Sequence, residues 1–175
     1  MKYHGLLFGV FAASMVTSGV FGADLATVPA PTAGGFNWNS FYLGIYGGAW
    51  ANTDGSYSGG VFGGVAGVTY VLNDSGVVIG GEIAGDGYTV SGLSTVFGEF
   101  YGVGRLGVLA NDSTLLYGLA GIGMDDGTGA YIVGLGAEYA FTDNLTLRGQ
   151  VYGGNDLGAS PDYVQGTLGV SWHFN

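Results

Sequence analysis

After residue 22, no apolar run in this chain approaches the roughly 20 residues that a membrane-spanning helix needs. The chain is nonetheless apolar. Charged residues make up 9% of it and hydrophobic ones 47%, whereas soluble domains carry about 25% charged residues. Inside lipid, every backbone N–H and C=O must be satisfied within the protein, and only helices and closed barrels achieve that. With the helix removed, the closed barrel remains. A length of 175 residues suits one domain.

Residues 1–22 read as a secretory signal peptide. Lys2 gives a short cationic start, Leu6 to Val16 an apolar centre, and Val20-Phe21-Gly22 a cleavage box before Ala23. Export would leave Arg105 and Arg148 as the only Lys or Arg side chains, against 13 acids. Residues 23–37 hold two of the three prolines and few anchoring side chains, and read as a loose periplasmic tail. The barrel domain is expected over 38–175.

From Phe41 onward the apolar period is two. Eight strands are expected at 41–51, 60–72, 77–86, 99–110, 114–123, 130–141, 145–153 and 163–174. They suit an eight-stranded antiparallel transmembrane β-barrel of up-and-down topology. Short turn sequences at 73–76, 111–113 and 142–144 alternate with longer links at 52–59, 87–98, 124–129 and 154–162. Outer-membrane barrels alternate in this way, with short turns on the periplasmic side.

The faces point the same way. In the sixth strand Tyr131, Val133, Leu135, Ala137, Tyr139 and Phe141 share one side, and Gly134, Gly136 and Glu138 the other. In the seventh, Leu145, Leu147 and Val151 oppose Thr146, Arg148, Gln150 and Tyr152. In the eighth, Leu168, Val170, Trp172 and Phe174 oppose Gln165, Thr167, Ser171 and His173. The apolar side must meet lipid, because the other side is polar or glycine. The fifth strand, TLLYGLAGIG, is apolar throughout, and its faces stay unassigned. Outward aromatics should form two belts, since their rings favour the headgroup level. Phe41, Tyr70, Tyr139, Phe141, Trp172 and Phe174 fall at one end, and Phe62, Phe100 and Tyr131 at the other. The 38 glycines read as packing, because an eight-stranded barrel has an interior only wide enough for side chains.

Asn37-Trp38-Asn39-Ser40-Phe41-Tyr42-Leu43-Gly44 resembles the opening of the small porin-like outer-membrane β-barrel family of Gram-negative bacteria. That family includes alphaproteobacterial surface antigens. Ile79-Gly80-Gly81-Glu82, Arg105-Leu106-Gly107 and Gly169-Val170-Ser171-Trp172-His173-Phe174 fit the same pattern. The resemblance implies a bacterial outer-membrane location. It also implies contact with outer-membrane lipid and lipopolysaccharide, and with the assembly machinery through the C-terminal strand. One departure is Asn175, which follows the usual terminal aromatic.

Several chemistries are disfavoured. Gly102-Val103-Gly104-Arg105-Leu106-Gly107 spells a dinucleotide motif, but a turn rather than a helix follows it. Ser171 and His173 share a face, yet no acid follows in sequence to orient the histidine. Asp125-Asp126-Gly127 lacks a calcium-loop spacing. With Asp54, Asp86, Asp156 and Asp162 it gives the outer loops an acidic, solvated character. A sharper alternative is cation bridging to lipopolysaccharide. A net charge of −10 argues against nucleic acid. Without cysteine there are no disulfides or thiolate metal sites, and no cofactor is expected.

The strongest constellation is ionic. Glu138 and Arg148 lie symmetrically about Asp143 in a tight turn, and Glu82 and Arg105 lie on the paired third and fourth strands. All four have lumen parity. The expected pairs are Glu138–Arg148 and Glu82–Arg105, since buried charges need partners. The functional expectation is a non-enzymatic envelope barrel with at most narrow passage of ions or small solutes. The alternatives are a surface binder of a host factor or small ligand such as haem, and a lipid-modifying enzyme.

Overall fold

The computed structural model describes residues 35–72 and 75–174. The leader, most of the 23–37 tail and Asn175 lie outside the described residues. Eight strands follow in order: β1 Ser40–Asn52, β2 Ser58–Leu72, β3 Val77–Thr89, β4 Val96–Asn111, β5 Thr114–Asp125, β6 Thr128–Ala140, β7 Leu145–Asp156 and β8 Tyr163–Phe174. Each pairs antiparallel with its neighbour, and β1 closes on β8, so the sheet has no free edge. The barrel is thus up-and-down, as its alternating turns require.

One end holds the start of β1 and the finish of β8, and Phe41 pairs with Phe174 there. It is called the terminal end below, and the opposite opening the far mouth. At the far mouth the strands outrun their sequence reading. β3 continues to Thr89 and β4 starts at Val96, through Gly87↔Gly98, Tyr88↔Phe97 and Thr89↔Val96. The long links shrink to 53–57, 90–95, 126–127 and 157–162. Glycine and acid look like loop composition, but ladder bonds need only backbone groups, so pairing runs on. The link expected at 124–129 is a two-residue hairpin. Asp126 has φ 43° and Gly127 φ 86°, the pair of positive values that a type I′ turn demands.

The expected faces hold. Val133, Leu135, Leu147, Val151, Leu168, Trp172 and Phe174 point outward. Glu138, Thr146, Arg148, Gln165, Ser171 and His173 point into a closed interior. Of the aromatics expected on the belts, Phe41, Tyr70, Tyr139, Trp172 and Phe174 are exposed near the terminal end, and Phe62 and Phe100 nearer the far mouth. The fifth strand is now assigned. Leu115, Tyr117 and Leu119 are buried inside, while Leu116, Ile122 and Met124 face out. Its pattern was ambiguous because this side of the lumen is itself apolar: Val103, Leu115, Leu119 and Ile132 belong to one buried cluster.

Glycine makes room for lumen rings. A Cβ on Gly67 would strike the Tyr42 ring, and one on Gly136 the Tyr117 ring. Gly136→Ala should therefore cost about 1–3 kcal/mol, the usual range for overpacking. Gly118→Ala is the control, because its Cβ would meet nothing nearer than 3.9 Å. Urea unfolding in detergent should show a lowered midpoint for the first and little change for the second. Equal midpoints would overturn the packing role of Gly136.

Candidate functional site

Four strands deliver four charges to one level of the lumen. β3 supplies Glu82, β4 Arg105, β6 Glu138 and β7 Arg148, each by inward parity. Arg105 is the hub. Its Nη1 lies 2.9 Å from Glu82 Oε1, and its Nη2 lies 2.6 Å from Glu138 Oε2. Nη1 also donates to the Tyr42 hydroxyl at 2.8 Å. The guanidinium carbon sits 3.7 Å from the centre of the Tyr117 ring, a cation–π contact in a desolvated site. Arg148 reaches Glu82 through Nη2, at 3.1 Å and 3.0 Å from the two carboxylate oxygens. Two carboxylates and two guanidiniums thus balance, with all four side chains almost wholly buried.

The pairing differs in part from the sequence expectation. Glu82–Arg105 is present, one diagonal step apart, since Glu82 opposes Val103 and Arg105 opposes Gly80. Glu138 and Arg148 are directly opposed in register, yet their closest charge partners are Arg105 and Glu82 respectively. The reason is reach. Facing Cβ atoms lie only about 4.5–5.5 Å apart, and an arginine outruns that gap. It extends across the narrow lumen to an acid on a distant strand.

Below this cluster, toward the terminal end, lies a second network that sequence reasoning missed. His173 Nδ1 is 2.7 Å from Ser40 Oγ. Its Nε2 is 3.1 Å from Glu138 Oε1 and 3.2 Å from Thr146 Oγ1. An acid does therefore reach the histidine, brought by β6 rather than by the remaining chain. The serine in contact is Ser40, not Ser171. The series is sealed. Phe36 packs edge-on to His173 at 4.9 Å between ring centres, and Trp38 at 6.2 Å. Trp38 is itself pinned by Nε1 donating to the Asp112 carbonyl at 3.1 Å. Phe36, from the end of the segment read as tail, thus joins Trp38 in an aromatic cap on the lumen. Any substrate for Ser40 would have to displace both rings.

The Gly102–Gly107 motif lies within β4, where no helix N-terminus is available to hold a pyrophosphate. Asp86 and Asp125, expected among solvated loop acids, instead lie on strands. They accept from Tyr46 at 2.7 Å and Tyr88 at 2.9 Å. Glu99 also went unremarked in the sequence, though parity along Glu99, Tyr101, Val103 and Arg105 places it inward.

A closed eight-stranded barrel with an apolar outer band and a polar, charge-paired core is a transmembrane β-barrel of the outer-membrane type. No family model matches the chain, and no curated protein matches it. Solved structures do. The N-terminal β-barrel domain of Pseudomonas aeruginosa OprF aligns over 78% of this chain and 98% of its own, with 16% identity and a TM-score of 0.58. Ail, the attachment invasion locus protein of Yersinia pestis, aligns over 77% of this chain and 97% of its own, with 17% identity and a TM-score of 0.48. At such identity the likeness to the OprF barrel is one of fold.

Proposed function

We propose that this chain is a structural component of a bacterial outer membrane, with the terminal end toward the periplasm and a lumen closed to all but water or small ions. The observation that supports it best is the four-charge cluster of Glu82, Arg105, Glu138 and Arg148 spanning the barrel interior. The aromatic cap of Phe36 and Trp38 adds a second closure beneath it. The outer band then meets lipid and lipopolysaccharide, and β8 is the strand offered to the assembly machinery. Nothing in this reading calls on catalysis or a cofactor. Binding of a host factor or haem has less in its favour, since the far links at 53–57, 90–95, 126–127 and 157–162 offer little surface.

Conductance across a planar bilayer tests the proposal. The wild-type barrel should show small, infrequent openings. Arg148→Ala should raise the leak, because it removes volume and a Glu82 partner together. A large, steady wild-type conductance that ignores Arg148→Ala would mean an open lumen and would overturn the reading.

A further inference from the structure

Arg148 works with one of its three nitrogens. Nη2 holds both oxygens of Glu82, while Nε and Nη1 are buried without a hydrogen-bond partner. The side chain is 3% exposed, so bulk solvent does not serve them. Leaving a buried donor unmet is costly, and more so on a charged group. Both nitrogens therefore call for an acceptor. A cavity of about 20 Å³ lies beside Arg148, between the charge cluster and the far mouth. Glu82, Asp86, Tyr46 and Tyr152 share its lining. Asp86 accepts from Tyr46 at 2.7 Å and is hydrogen-bonded to the Glu99 carboxyl on the next strand. Tyr152 accepts from Gln165 Nε2, which leaves its own hydroxyl proton available to donate.

We propose that this cavity binds one or two internal water molecules, which accept from Arg148 Nε and Nη1 and donate to Asp86. A site takes a water when it offers about 10–15 Å³ and roughly two to four polar partners, and this one offers both. Water suits the mixture of groups. It accepts from the guanidinium and from Tyr152, and it donates to a carboxylate. A halide could only accept. It would also sit against Glu82 and Asp86, while the two arginines are already balanced by Glu82 and Glu138. A metal cation would face the guanidinium. The water completes a second tie across the barrel. β3 and β7 stand four strands apart in a closed ring of eight, so they are opposite walls. Glu82 and Asp86 both project inward from β3, and Arg148 from β7 holds the first directly and the second through water. A bridging water is nearly as good in enthalpy as a direct hydrogen bond, so the charge cluster is anchored toward the far mouth as well as to itself.

The test is a crystal structure of the refolded barrel at a resolution that shows ordered water, with a second crystal soaked in sodium bromide. The expected result is solvent density within hydrogen-bond distance of Arg148 Nε or Nη1, with no anomalous bromide signal there. A dry cavity, bromide in the cavity, or Arg148 turned so that both nitrogens meet protein acceptors would each overturn the proposal. Stability gives an independent reading. Ala84 lines the cavity, and Thr and Val are nearly the same size. Ala84→Thr and Ala84→Val therefore crowd it alike and differ in one hydroxyl. Both displace the water. Thr puts an acceptor oxygen beside Arg148, and Val does not. Ala84→Thr should have the higher urea midpoint in detergent. An equal or reversed order would mean a space indifferent or hostile to a hydroxyl, and the site would fall with it.

Discussion

Leu168→Arg should prevent the barrel from folding into a bilayer. Leu168 lies at the middle of β8 and faces outward with 69% exposure, flanked by Gly149 on β7 and Gly47 on β1. With glycine on both sides, no neighbouring side chain shields a charge placed there. An outward arginine near the midplane costs about 2–4 kcal/mol, and the cost fades toward the interface. Leu147→Arg should therefore be milder, because Leu147 is the third residue of β7 and lies near the terminal end. Leu93→Arg is the control. Leu93 is also an exposed leucine, but it sits in the 90–95 link outside the strands. Refolding from urea into lipid vesicles, read by gel mobility with and without heating, should rank the yields Leu93→Arg, Leu147→Arg, Leu168→Arg. Normal folding of Leu168→Arg would mean that the outer face does not meet lipid.

Arg105→Ala should be the most destabilising single change in the lumen. It takes a partner from both Glu82 and Glu138, frees the Tyr42 hydroxyl, and uncovers the Tyr117 ring. Removing one member of a buried pair costs about 3–5 kcal/mol. Glu138 keeps Thr146 as a donor at 2.6 Å, and Glu82 keeps Arg148, so neither acid is left bare. The loss should come mainly from a net negative charge in a closed space. Arg105→Ala with Glu138→Gln should then recover part of the stability, because the lumen returns to neutrality while the void remains. Urea unfolding midpoints in detergent decide it. A double variant no more stable than Arg105→Ala would place the loss in packing rather than charge.

Much of this fold could be read from local pattern. Strand period two, turn residues and the apolar outward face are properties of neighbours in sequence, so seven of the eight strands received their faces or could have by parity. β5 did not, because Leu115 and Leu116 are equally apolar and only the neighbouring strands tell which points inward. The strand ends at the far mouth failed for a related reason. Gly87 and Gly98 have loop composition, and the pairs Gly87↔Gly98, Tyr88↔Phe97 and Thr89↔Val96 form only across a turn.

The four charges of the cluster could be named from the sequence because charge inside a barrel is scarce and parity is strict. Their partners could not. Register fixes which Cα atoms face each other, and a long side chain is free to ignore it, as Arg148 does in reaching Glu82. The same holds for His173. Its contacts Ser40 and Glu138 are 133 and 35 residues away, and only closure of β1 on β8 and the narrowness of the lumen bring them together. The sequence by itself thus determined the sheet, the faces of every strand but β5, and which charged residues fill its middle, since those follow from alternation. The tertiary structure alone decided who pairs with whom, because a closed barrel places side chains from distant strands within a few ångströms across a space that no local pattern describes.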